Sequence, residues 1–125
     1  MNSNPSVVIL TEPDRNLLTL RYSGHVTLAD FRAFEDGVGT LLGSLKPGFT
    51  ILADMSRLEL MDVECAPFIS RVMDVSRQHG VGKVVRVMPD HTKDIGINIL
   101  SIIHYRGKVP IATVATLEEA ERELH

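Results

Sequence analysis

The chain has 125 residues, a formal net charge of −3 and no run of basic residues, which excludes a general electrostatic attraction to nucleic acid or to an anionic membrane. Hydrophobic residues make up 44% and charged residues 23%, the composition of a soluble globular chain that can bury a core as a single domain over residues 1–125. The one cysteine, Cys65, excludes an internal disulfide and, beside five methionines, leads us to expect a reducing, cytoplasmic setting.

Taken in chain order, residues 7–10 form a β-branched apolar run and read as a strand. Pro13, Asp14 and Asn16 supply turn chemistry. In the second strand, residues 17–22, Leu18, Leu20 and Tyr22 share one face while Thr19 and Arg21 take the other. Ser23 and Gly24 are expected to end it.

Thr27 then stands as an N-cap, with Asp30 in the first turn. Leu28, Phe31, Phe34, Val38, Leu41, Leu42 and Leu45 follow at helical spacing. Gly37 and Gly39 each weaken such a helix by about 1 kcal/mol relative to alanine, so close packing or an early break is expected there. Residues 49–53 form a nearly continuous apolar run, the pattern of a central strand buried on both faces. It ends in an acid, Asp54; a polar link is expected next, then a second acid, Asp62, at the start of a helix.

That helix is expected over residues 66–79, with Pro67 in its first turn, a core stripe of Cys65, Phe68, Ile69, Val72 and Met73, and His79 and Gly80 as its end. A strand follows at 84–88, a helix at 92–105 and a short strand at 108–114, which Pro110 demotes to an edge. Thr116 and Glu119 make a capping box for a closing helix. The order is β-β-α-β-α-β-α-β-α. It implies an α/β fold with a mixed, mostly parallel sheet flanked by helices and right-handed crossovers.

At this point the chain resembles the STAS domain, the family of bacterial anti-sigma factor antagonists and sulfate-transporter tails. Three parts carry the resemblance: residues 51–62 (ILADMSRLELMD), which match the family's strand, its first Asp and the acid before the switch helix; residues 82–87 (GKVVRV), similar to the next strand; and residues 111–120 (IATVATLEEA), similar to the closing strand and helix. The resemblance implies a non-enzymatic regulatory domain without a cofactor, whose protein partner meets a surface at Asp54, Ser56, Asp62, Val63 and Glu64. In signalling members the acid is followed by a phosphorylated Ser or Thr. Here Val63 stands at that position and has no hydroxyl, while Glu64 adds a permanent charge. Glu64 suits a helix start, and a constitutively phospho-like surface is the other reading.

A second resemblance is to the SpoIIAA-like group, which shares architecture with Sec14-type lipid-binding domains and implies a hydrophobic ligand or a membrane. On a helical wheel over 92–105, Ile95, Ile99, Ile102 and Ile103 form one face, while Ile97, Leu100 and His104 form another. Together with Phe68 and Val72, the residues Ile97, Leu100 and His104 are the expected surface for a hydrophobic ligand or a homodimer partner, unless the two helices simply cover each other. No apolar stretch approaches the roughly 18 residues of a spanning helix, since residues 95–103 are interrupted by Gly96, Asn98 and Ser101.

Metal and catalytic signals are weak. His25, His79, His91, His104 and His125 show no ligand spacing, and Asp54 with Asp62 matches no calcium loop. Cys65 lies near a helix start, where a thiolate is favoured, but on the apolar stripe and beside Glu64; a buried, inert thiol is expected. A small enzyme using Asp54 and Asp62 with His91 or Cys65 is the third reading, without visible nucleophile–base spacing.

Overall fold

A computed structural model describes residues 6–32, 37–88 and 109–124. Its strands are β1 (Val7–Glu12), β2 (Leu17–Val26), β3 (Thr50–Met61), β4 (Lys83–Val87) and β5 (Ile111–Val114). Its α-helices, among the described residues, are α1 (Leu28–Arg32), α2 (Val38–Leu42), α3 (Ala66–Gln78) and α4 (Leu117–Glu123). The helix expected over 92–105, with Ile97, Leu100 and His104, lies outside the described residues.

The five strands form one sheet in the order β1-β2-β3-β4-β5. β1 and β2 are antiparallel, joined through the tight turn at Pro13–Arg15; every later pairing is parallel. A sequential parallel order connected by crossovers of one hand puts the crossover helices on a single face. Phe31 of α1, Leu42 of α2, and Phe68, Ile69, Val72 and Met73 of α3 accordingly pack with Leu18, Leu20, Tyr22, Ile51 and Val84 in the larger core. The opposite face carries Leu17, Leu52, Val85 and Val87, closed by Ala120 of α4 and by Leu124 just after it.

Local signals explain most boundaries. The backbone N–H of Thr27 donates to Asp30 Oδ2 at 2.7 Å, so the acid in the first turn supports the start of α1. Thr116 Oγ1 accepts from the N–H of Glu119 at 3.1 Å, the expected cap of α4. Gly80 adopts φ +94° after α3, the left-handed conformation that ends helices on glycine.

Two expectations change. β2 does not stop at Ser23 and Gly24 but runs to Val26, because β3 continues alongside it. The polar link expected after Asp54 is strand: β3 extends to Met61. Of the long helix expected from Leu28, α1 and α2 are described, and residues 33–36 between them lie outside the described residues.

Candidate functional site

β4 pairs with β3 only from Thr50 to Asp54, whereas β2 stays beside β3 to Met61. The ends of β2 and β3 therefore outrun β4 as a two-stranded ribbon. A short 3-10 turn, Val63–Cys65, links this ribbon to α3.

Asp54 sits at the root of the ribbon and is only 3% exposed. A buried carboxylate needs partners, and Asp54 has three. Its Oδ1 accepts from the Ser56 N–H at 3.0 Å and from Ser56 Oγ at 2.6 Å, and its Oδ2 accepts from Arg21 Nε at 3.2 Å. Arg21 and Asp54 are also register partners across β2 and β3. Asp54 thus lies beneath the surface rather than on it.

Further along, His25 and Leu60 are register partners and both are exposed, Leu60 by 51%. His25 Nε2 meets Asp62 Oδ1 at 2.6 Å. Both side chains reach solvent, so the pair adds about 0–1 kcal/mol of stability and serves mainly to orient the two groups. The N–H of Asp62 donates to the Val26 carbonyl at 3.0 Å and its carbonyl accepts from the Cys65 N–H at 2.9 Å, which fixes the turn between ribbon and helix. Glu64 is exposed in that turn.

Cys65 is fully buried, and its thiol pKa is pushed up to about 11, first by burial and then by Asp62, Asp30 and Glu64. Such a thiol stays protonated near neutrality and is a poor nucleophile. Among the described residues, no group of three His, Cys, Asp or Glu side chains is placed to hold a metal ion.

Of the residues expected at a contact surface, Asp62 and Glu64 reach solvent near each other, Ser56 is half-buried against Asp54, and Val63 lies in the connecting turn. Phe68 and Val72 are both buried in the core under α3. Val72 lines an apolar cavity of about 40 Å³ between α3 and the sheet, together with Leu20, Tyr22, Ile51, Met73 and Arg86. Burial raises the pKa of the Tyr22 hydroxyl.

Sequence reasoning missed Arg86, which is 5% exposed and donates through Nε and Nη2 to Thr113 Oγ1 at 3.2 and 2.7 Å. Burial lowers its pKa. It also missed the roles of Arg21 and His25. No local pattern marks either, because their partners lie 33 and 37 residues away.

No family model matches the sequence, and none of the curated proteins does. Solved structures do match. An uncharacterized protein from Shewanella loihica with a SpoIIAA-like fold aligns at TM-score 0.65 and 15% identity, over 100% of this chain and 99% of that one. The anti-sigma factor antagonist SpoIIAA in its unphosphorylated form aligns at TM-score 0.61 and 17% identity, over 94% of this chain and 96% of that one. An anti-sigma factor antagonist from Mycobacterium paratuberculosis aligns at TM-score 0.58 and 16% identity, over 99% and 98%. Within the described residues no helix is long and apolar enough to cross a membrane. The mixed five-stranded sheet, its flanking helices and these end-to-end alignments together show that the chain has the SpoIIAA-like, STAS-type α/β fold.

Proposed function

We propose that this chain is a non-enzymatic, STAS-like regulatory domain that binds a protein partner through the exposed end of its sheet. The surface consists of His25, Leu60, Asp62 and Glu64. The observation that carries the reading is Asp62 itself. It follows β3 directly, is held to β2 by the Val26 carbonyl, and presents its carboxylate beside His25, ahead of α3. The likeness of residues 51–62 to the STAS strand and its following acid supports this reading. Two of the solved structures of like fold are anti-sigma factor antagonists, so a protein of the anti-sigma factor class is the partner to test first.

The mechanism is equilibrium binding by a preformed surface. Val63 has no hydroxyl and Glu64 carries a permanent charge, so the surface does not switch by phosphorylation at the turn. We expect Asp62→Lys and Glu64→Lys to weaken capture of such a partner at least tenfold, about 1.4 kcal/mol, with little loss of stability. Unchanged capture by both folded variants would remove the site from consideration.

A second reading has its own observation, the apolar cavity under α3. Apolar pockets are default sites for hydrophobic ligands, and one of about 40 Å³ would have to widen by movement of α3 to admit more than a few atoms. Native mass spectrometry separates the two readings. A bare chain, alone or paired with a copy, favours the protein-binding surface. Non-covalent mass that is lost on denaturation favours the ligand.

A further inference from the structure

Along the ribbon β3 breaks its own alternation. Ile51, Ala53 and Met55 face the larger core at every second residue, as a strand requires. Beyond Met55 the core residues are Leu58 and Met61, at every third. The register with β2 shows why. From Arg21/Asp54 to Ser23/Arg57, β2 advances two residues and β3 three; from Gly24/Leu58 to His25/Leu60, β2 advances one and β3 two. Each step leaves one extra residue on β3, a bulge. Bulges are rare between parallel strands and are typically placed where a side chain must be re-aimed.

The first bulge coincides with the hydrogen bonds of Asp54. Its Oδ1 accepts from the N–H two residues ahead, at Ser56, and so bridges the extra residue in the manner of an Asx-turn. Ser56 Oγ adds a second bond to the same oxygen, and Arg21 holds the other. Without this bulge, and with the second one kept, alternation after Met55 would turn Arg57 into the core and Leu58 out to solvent, and would then turn Leu60 in and Met61 out, since a one-residue slip exchanges the two faces. We infer that Asp54 is a buried register clamp: by closing the turn over Met55 and Ser56 it decides which β3 side chains the binding surface presents. The inference rests on the proposed interaction surface and adds to it a positioning residue that makes no contact with the partner.

The test is amide hydrogen exchange, read by NMR on the full chain, in the wild type, Asp54→Ala, Asp54→Asn and Arg21→Met. In Asp54→Ala, amides at 23–26 and 57–61 should exchange about tenfold faster or more, while those of β4 and β5 change less than about twofold. Asparagine keeps a carbonyl acceptor for the Ser56 N–H, so Asp54→Asn should stay within about threefold of wild type.

A uniform rise across all five strands, an unchanged ribbon in Asp54→Ala, or equal behaviour of the alanine and asparagine variants would overturn the clamp. If Asp54→Ala does not fold, Asp54→Asn and Arg21→Met decide the matter, since both keep the turn and remove only the charge pair. A ribbon that opens in either is equally fatal to the inference. No partner is needed, so failure here leaves the contact surface standing, and unchanged capture by Asp62→Lys and Glu64→Lys leaves the clamp standing.

Discussion

Cys65 shows how one position can carry two opposed signals. A helix start favours a thiolate, but complete burial and three nearby carboxylates, Asp62, Asp30 and Glu64, oppose it. The neutral thiol therefore belongs to the folded state. Its folded pKa, about 11, is raised above the ordinary 9.0, so its contribution is fully present below pH 9 and is lost as pH rises toward 11. The amount is on the order of 3 kcal/mol. Unfolding midpoints in urea should fall over that window, and Cys65→Ala should flatten the decline. Alkylation at pH 8 should be slow in the native chain and fast once it is unfolded; rapid native labelling would contradict the burial. That Cys65 would be buried was legible from its place on the stripe of α3. The pairing of Arg21 with Asp54 was not, because a register contact between separate strands leaves no periodic trace in either.

At the scale of elements, caps and stripes were the readable features. The Thr116 cap of α4 satisfies an otherwise orphaned N–H, and Thr116→Ala should cost about 1 kcal/mol in denaturant unfolding, with the fold retained. No measurable loss would mean that the packing of Ala120 and Leu124 holds the helix by itself. The core stripe of α3 was equally plain, as Phe68, Ile69, Val72 and Met73 recur at helical spacing and are all buried. The second half of β3 was not readable. Met55, Leu58 and Met61 recur every third residue, and a strand is recognised by a period of two. Two bulges disguise the strand as a polar link. The end of β2 is hidden for the same reason, since Ser23 and Gly24 look like a stop unless a partner strand continues beside them.

For the molecule as a whole, the sheet order brings two glycine-containing loops together on one side. Gly48 N–H donates to the Gly80 carbonyl at 2.6 Å, and Gly82 N–H to the Phe49 carbonyl at 2.8 Å. A Cβ on Gly82 would lie 2.8 Å from the Gly48 carbonyl oxygen, with only backbone to move out of its way. Gly82→Ala should therefore destabilise the chain by about 1–3 kcal/mol, measured by thermal or urea unfolding; a neutral result would show that the two loops separate at little cost. Such contacts join segments more than thirty residues apart and have no counterpart in composition.

By itself the sequence determined what local chemistry encodes: an α/β order of elements, the caps, the stripe of α3, the edge character of β5 and a resemblance to one fold family. Those properties arise from neighbours within a turn or two, where spacing and residue type act directly. Only the tertiary structure decided that Asp54 is buried, that β3 runs on through two bulges, and that His25 turns to Asp62. Each of these depends on the register between distant strands or on what covers a face, and register is set by the joint packing of the whole sheet rather than by any one segment.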